Sequence, residues 1–113
     1  MADITSRQLI DEAATRVGNL GIGQTLNADE LAYFQRSYRF LLDQLAEDEV
    51  LTIGDDEAIP ASWAPYIATL LANLCGPAYG VPFDVNTKLG TEAILRKLVR
   101  GKETFERQQA EYF

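Results

Sequence analysis

The apolar residues of this chain recur at intervals of three and four along four separate segments, and this spacing constrains the fold more than any other feature. Residues spaced in this way lie on one face of an α-helix, whereas a half-buried β-strand would need an apolar residue at every second position. No stretch of four or more residues alternates convincingly with period two. The sequence therefore predicts an all-α fold, a small four-helix bundle with a projecting C-terminal helix or arm.

The first two predicted helices have clear start signals. Thr5 with Gln8, and Asn27 with Glu30, have the capping-box spacing, in which each side chain accepts a hydrogen bond from a backbone N–H group at the helix start. The first helix is predicted to end at Gly18. The second should continue for about five turns, with an apolar face that contains Leu31, Phe34, Tyr38, Leu41, Leu42 and Leu45.

The third helix is predicted to begin near residues 62 and 63 and to end at Gly76. Its broad apolar face should make it the most buried helix. The fourth helix is predicted to begin between residues 84 and 87. The bundle core is then expected to contain Ile10, Ala14, Leu31, Tyr38, Leu41, Leu45, Ile67, Leu70, Leu74, Ile94 and Leu98.

A glycine marks the point at which the last helix leaves the predicted bundle. Gly101 costs about 1 kcal/mol relative to alanine in a helix interior, so we expect a bend or fraying there. The polar segment that follows cannot form a core of its own. We therefore divide the chain into a helical domain, residues 1–101, and a C-terminal arm, residues 102–113, that continues the last helix.

The charge is concentrated in one stretch. The chain has 17 acidic and 10 basic residues and a net charge of −7, and seven of the acidic residues lie between Asp43 and Glu57 without a basic one. Most basic residues lie near the C-terminal end, a dipolar arrangement that suits head-to-tail contact between copies, although a solvated surface is the simpler explanation. We predict an acidic channel or steering surface formed by Asp48, Glu49, Asp55, Asp56 and Glu57.

The composition argues against catalysis. The chain has no histidine, and its single cysteine, Cys75, falls on the apolar face of the third helix, where a free cysteine is commonly a small buried side chain. Residues 55–57 lack the ligand spacing of a calcium loop. We predict no enzyme activity, no catalytic residue, no cofactor, no metal and no membrane partner. A small enzyme or cation-binding protein that uses the acidic loop stays open as an alternative.

Two aromatic residues of the second helix point away from its apolar face. Tyr33 and Phe40 are seven residues apart and therefore in line. A monomeric bundle normally keeps such a face polar, so the pair predicts a contact with another copy or a partner. The equal alternative is that another part of the same chain covers them. Trp63 is a further candidate for this interface, with partial burial in the fold as the favoured interpretation.

Five features follow one another along the chain. They are a first helix that ends in glycine, a second helix that ends in Leu41-Leu42-Asp43-Gln44-Leu45, an acidic loop that closes with Ile59-Pro60, a third helix that ends in Gly76, and a fourth helix with Leu95-Arg96. Their order and spacing resemble the head-to-tail adaptor proteins of tailed bacteriophages, also called head-completion or tail accessory proteins. The similarity extends over about residues 4 to 105 and includes no catalytic motif.

The resemblance implies a structural virion protein, made in the host cytoplasm and located in the neck between head and tail. It implies a homo-oligomeric ring of twelve copies beneath the portal protein, which extends the DNA channel and supports the downstream tail or nozzle protein. Genomic DNA would pass through without tight binding. In this family the chain end usually reaches onto the portal, and we predict that the C-terminal arm docks there through Phe105, Arg107, Tyr112 and Phe113. The alternative is that Phe105 caps the bundle and the last residues fray. The alternative function is a stand-alone helical protein-interaction module or small regulator.

Overall fold

A computed structural model describes residues 4–18, 26–53 and 58–112, with side chains described as far as residue 100. Within these ranges the chain is all-α, as the apolar spacing predicts. Extended pairing among the described residues is limited to one antiparallel bridge, between Ile4 and Ile59. The helices are α1 (Ser6–Val17), α2 (Ala28–Glu47), α3 (Ala64–Cys75) and α4 (Val85–Tyr112), with a 3-10 turn at Gly76–Tyr79.

Both predicted capping boxes are present. The Thr5 hydroxyl accepts a hydrogen bond from the Gln8 backbone N–H at 3.2 Å, and the Gln8 side chain accepts one from the Thr5 N–H at 3.0 Å. Asn27 and Glu30 make the same reciprocal pair, at 2.8 Å and 3.5 Å. α1 ends at Gly18, whose φ of 85° is a left-handed conformation that glycine adopts without a Cβ clash.

α2 ends in a Schellman motif that contains no glycine. The Val50 N–H donates to the Leu45 carbonyl at 2.9 Å, and the Glu49 N–H donates to the Ala46 carbonyl at 3.2 Å. Glu49 has a φ of 57° and occupies the left-handed position that glycine usually fills. Val50 is buried, so the chain turns back into the core directly after the helix.

α3 is the central helix and packs against each of the other three. Ile67 and Leu71 have no exposed surface, which confirms that this helix is deeply buried. Arg16 ties α1 to α3, because its guanidinium donates to the Pro65 carbonyl at 3.1 Å and to the Thr69 hydroxyl. α3 therefore supplies the surface on which the other helices are positioned.

Two polar contacts hold α4 in place. The Asn73 side chain accepts from the Asp84 N–H and donates to the Asp84 carbonyl, both at 2.9 Å. Arg96 donates to the Asp48 carbonyl at 3.2 Å. α4 therefore starts beside the second half of α3 and reaches the C-terminal end of α2 about three turns later.

Most of the predicted core is confirmed as buried: Ile10, Ala14, Tyr38, Leu41, Leu45, Ile67 and Leu70. Three further predicted core residues are partly buried: Leu31, Leu74 and Leu98. The prediction for Ile94 is wrong, because its side chain is 42% exposed and Leu95 is the fully buried residue. The α4 stripe that packs inward includes Thr91 and Glu92, so the inward stripe is not the most apolar one. The Lys88 Nζ forms an ion pair with the Glu92 carboxylate, 3.0 Å from its Oε1.

The segment between α2 and α3 is anchored by apolar side chains. Val50, Leu51, Ile53 and Ile59 are all buried. Ile59 also forms both hydrogen bonds of the bridge to Ile4, each 2.8 Å long. The sequence analysis treated this segment only as an acidic loop, because its apolar residues follow neither a helical nor a strand period.

The backbone of α4 is helical through Gly101, so the expected fraying does not begin there. A glycine keeps its backbone N–H, and its cost of about 1 kcal/mol is not enough to end a helix by itself. With 28 residues, α4 is about 42 Å long at about 1.5 Å per residue. The division into domain and arm stays a prediction, and the side chains of Phe105, Arg107 and Tyr112, together with Phe113, lie outside the described residues.

Candidate protein interaction surface

Phe40 lies on the outer side of α2, where 52% of its surface is exposed. At about 100° per residue, Phe40, Asp43 and Glu47 fall within one stripe about 60° wide. All three are exposed, and the buried arc of the helix is on the opposite side. We call these three residues the α2 outer face. It is aromatic at one end and acidic at the other.

Tyr33, the second aromatic residue predicted for this surface, is partly covered by its own chain. Its ring meets Phe34 at 5.9 Å and Tyr79 at 6.3 Å, both edge to face. Phe34 and Tyr79 stack on each other with a centroid distance of 5.9 Å. The same chain therefore partly covers Tyr33, as one alternative expected for both residues. Phe40 is exposed and stays available for a contact with another copy or a partner, as the other alternative expected.

A groove of about 250 Å³ lies beside these aromatic residues, lined by Tyr33, Arg36, Ser37, Phe40 and Leu74. Cys75 has no exposed surface, and burial raises the pKa of its thiol, although a hydrogen bond with Ser37 opposes the shift. A thiol that is buried and protonated is a poor nucleophile. The groove is therefore suited to contact and not to thiol chemistry.

α4 carries a second exposed face, formed by Gly90, Ala93, Ile94 and Lys97. These residues span about 100° of the helix surface, on the side turned away from the buried Leu95, and all four are exposed. Apart from Gly90, its two chain neighbours and the nearby backbone of α4, no described heavy atom lies within 4 Å of the place that a Cβ of Gly90 would occupy. We call these four residues the α4 outer face. It is a hollow between an isoleucine and a lysine.

Further large apolar side chains are exposed near the start of α4. Their exposed fractions lie between 43% and 57%. These residues are Val81, Phe83, Val85 and Leu89. They add exposed apolar surface to that of Ile94 on the α4 outer face.

Sequence reasoning missed the apolar surface of α4 because it assigned the apolar residues of this helix to the core. The signal that could have found it is the presence of two apolar stripes on one helix. Leu89 and Ala93 belong to one stripe, and Leu95 with Val99 belongs to the other. A helix that packs mainly on one neighbour can bury only one of them.

Trp63 lies directly before α3 and is partly buried against the core. Its backbone N–H donates to the Pro60 carbonyl at 3.0 Å, as does that of Ala64 at 3.2 Å. These bonds satisfy N–H groups at the start of α3, which has no side-chain cap. The position of Trp63 therefore agrees with the favoured interpretation of a residue that closes the bundle.

Asp48 and Glu49, two of the five predicted acidic-surface residues, are exposed at the C-terminal end of α2. Asp48 is the C-cap residue, and its carbonyl accepts the hydrogen bond from Arg96. Asp55, Asp56 and Glu57 lie outside the described residues. The structure therefore places the first part of the predicted surface at the end of α2.

A second cavity, of about 330 Å³, lies between α1 and the first turns of α3. Among the described residues that line it, the polar side chains are those of Gln8 and Glu12. Glu12 is already paired with Arg16 at 3.0 Å. The described residues of this lining include no nucleophile beside a base, the arrangement that covalent catalysis needs.

Across the described parts of the chain, no three side chains of His, Cys, Asp or Glu come together in a group that could hold a metal ion. Within the same parts, no helix has both the length and the apolarity needed to cross a membrane.

The chain matches no protein-family model, and comparisons with curated proteins and with solved structures give no match either.

Proposed function

We propose that the protein is a head-to-tail adaptor of a tailed bacteriophage or prophage. In this role it forms a ring of twelve copies beneath the portal, extends the DNA channel and provides a platform for the next tail component. The observation that carries the proposal is the pair of exposed faces on α2 and α4. A subunit of a ring contacts one neighbour on each side through two different surfaces, and these two faces meet that requirement.

The apolar content of the faces also supports assembly over a monomeric role. Phe40 on the α2 outer face is 52% exposed and Ile94 on the α4 outer face is 42% exposed, and Leu89, next to the α4 outer face, is 57% exposed. Single exposed apolar residues are ordinary, but several on adjacent helices of a small domain are typical of an interaction surface. The proposal includes no catalytic step and no cofactor.

The acidic end of α2 suits a protein through which DNA passes. Asp48 and Glu49 are exposed there. Each contact between a basic side chain and a phosphate would hold the DNA, whereas carboxylates repel the phosphates. We assign these two residues to a surface that faces the DNA or a basic partner, together with Asp55, Asp56 and Glu57.

The continuation of α4 beyond Gly101 supplies the proposed portal-docking arm. A helical segment of about this length is marginal in water without tertiary or partner contacts. We assign its docking contacts to Phe105, Arg107, Tyr112 and Phe113. The ring in this proposal is thus held to the portal by the arms and to itself by the outer faces.

The test is to mix the purified chain with the portal protein of the phage or prophage that encodes it, and to examine the mixture by electron microscopy. The expected result is a ring of additional density beneath the portal. A chain without residues 106–113 should keep the rest of its helical structure, losing only the last part of α4, and should lose this density. A full-length chain that gives no density on the portal would refute the proposal, and a monomer or dimer in that case favours the stand-alone interaction module.

A further inference from the structure

We propose that neighbouring copies are joined by packing the α4 outer face of one copy on the α2 outer face of the next. Phe40 of the second copy then fills the hollow at Gly90 and Ala93. The inference deepens the proposed function, since it identifies the contact that builds the ring. The occupant of the α4 outer face is thus a second copy of this chain.

The shape of the α4 outer face is the first argument. Its residues stand at positions i, i+3, i+4 and i+7 of one helix, and four residues in this arrangement bound the hole that receives a side chain in knobs-into-holes packing. Gly90 and Ala93 make the hole deep, and Ile94 gives it an apolar wall. Phe40 is the exposed aromatic knob on α2, with 52% of its surface free to be covered.

Charge complementarity is the second argument. Beyond the aromatic end, the α2 outer face carries Asp43 and Glu47. Beyond the hollow, α4 carries Lys97 and Arg100, and all four side chains are exposed. None of the four forms an ion pair with another described residue of its own chain. Each pair is therefore available to the opposite pair on a neighbour.

The spacing of these residues sets the register. Glu47 follows Phe40 by seven residues, and Arg100 follows Ala93 by seven, which is about 10 Å along each helix. When two helices pack parallel with Phe40 against Ala93, Glu47 comes level with Arg100, and Asp43 comes within one residue, about 1.5 Å, of the level of Lys97. The same alignment therefore satisfies the apolar contact and both charge pairs.

The contact is heterologous, because the two faces lie on different helices of each copy. A copy that uses its α2 outer face toward one neighbour keeps its α4 outer face for the other. Contacts of this kind continue from copy to copy until a rotation closes them into a ring. Exposed charge pairs at the rim set orientation more than affinity, so the aromatic knob supplies the main attraction.

The test reverses the charges on one face at a time. In the double variant Lys97→Glu/Arg100→Glu the α4 outer face becomes acidic, and in Asp43→Lys/Glu47→Lys the α2 outer face becomes basic. Sedimentation velocity should show loss of assembly in each variant alone. Mixing the two variants should restore assembly, because each reversed face then finds an opposite charge on the other variant.

Two further variants complete the experiment. Arg7→Glu changes an exposed charge on α1 and should assemble like the unmodified chain. Phe40→Ser should keep its helix content by circular dichroism and lose assembly, and it decides the question if a charge variant fails to fold. An unmodified chain that stays monomeric, reversed variants that assemble alone, or a mixture that stays dissociated would each overturn the inference.

These measurements contain no portal protein, so their failure is distinguishable from failure of the proposed function. A chain that docks on the portal while its charge-reversed variants assemble normally keeps the adaptor role and loses the proposed contact. Assembly that follows the predicted pattern without any portal docking keeps the contact and removes the adaptor role.

Discussion

α2 and α4 are both amphipathic helices packed on α3, yet they use their apolar residues in different ways. α2 places its apolar arc inside and leaves Phe40 outside. α4 buries Leu95 beside the polar residues Thr91 and Glu92, while Ile94 stays exposed. α2 thus buries its main apolar arc and exposes a single aromatic residue, whereas α4 buries a stripe that contains polar residues.

The difference shows what apolar periodicity can and cannot predict. A period near 3.6 identifies a helix whichever side is buried. When a helix has two apolar stripes, as α4 does, the pattern does not specify which stripe faces the bundle. We interpret the exposed apolar stripe of α4 as a contact surface. Removal of apolar side chains from water then explains both this stripe, which a partner would cover, and the apolar arc that α2 buries in the bundle.

The largest expected effect contrasts two phenylalanines of α2. Phe34→Ala should lower the free energy of unfolding by about 3–5 kcal/mol, because Phe34 is fully buried. Phe40→Ala should change it by less than about 1 kcal/mol, as expected of a surface substitution. Urea denaturation followed by circular dichroism measures both. Equal losses would mean that both rings support the fold.

The same contrast on α4 separates two adjacent residues. Leu95→Ala should cost about 2–5 kcal/mol, since Leu95 has no exposed surface. Ile94→Ala should cost less than about 1 kcal/mol in the unassembled chain. The measurement needs a concentration at which copies do not associate. If Ile94→Ala were the more damaging change, the orientation of α4 would be wrong.

A smaller effect is expected from the polar part of the buried α4 stripe. The Glu92 carboxylate accepts hydrogen bonds from the Lys88 ammonium at 3.0 Å and 3.1 Å. Glu92→Gln removes the charge pair with little change in shape, so it should cost about 1 kcal/mol, since Lys88 is partly solvated. Lys97→Gln, on the outer face, is the matched control and should leave thermal unfolding of the unassembled chain unchanged.

α2 and α4 differ in the residue that caps the start of the helix, which is an asparagine in α2 and an aspartate in α4. Asn27 caps α2 through its side-chain oxygen, which accepts from the Glu30 N–H. Asn27→Ala should lower stability by about 1 kcal/mol, because an N–H group at the helix start loses its partner. Asn27→Asp keeps an acceptor and should restore most of the loss in the same thermal unfolding assay.

The cap of α4 is expected to make that helix sensitive to acid. Asp84 accepts hydrogen bonds from the Thr87 hydroxyl and from the backbone N–H groups of Thr87 and Asn86. These bonds lower the pKa of the Asp84 carboxyl. Its contribution to stability is therefore present above the ordinary aspartate pKa and is lost as the pH falls through the lowered value.

Asp84→Asn keeps an acceptor at the start of α4 and removes the titration. The variant should show a weaker decline of melting temperature between neutral and acid pH than the unmodified chain. The effect is expected to be the smallest of the series, because the Asp84 carboxyl is fully solvated. Identical pH profiles for the two proteins would show that the cap contributes nothing to acid sensitivity.

The candidate contact surface was only partly predictable. The exposure of Phe40 follows from its position opposite the apolar arc of α2, which is a property of one helix. Burial of Tyr33 depends on Tyr79, which lies 46 positions away in the sequence. The hollow at Gly90 and Ala93 became visible only once Leu95, and not Ile94, was seen to face the bundle.

Local signals were sufficient to place the four helices, the starts of α1 and α2 and the end of α1. The capping boxes at Thr5 and Asn27, and the stop at Gly18, act within a few residues, so no distant contact is needed to predict them. This is why the all-α class and most of the core follow from the printed sequence. The same signals do not predict how each helix is rotated about its axis.

The rotation of α4 was settled by contacts between distant parts of the chain. Asn73 holds the start of the helix through Asp84, and Arg96 holds its middle through the carbonyl of Asp48. These polar contacts turn Leu95 inward, although Ile94 is the equally apolar neighbour. Only the packed structure contains this information, because hydrogen-bond geometry between separate helices has no counterpart in the spacing of residues along one helix.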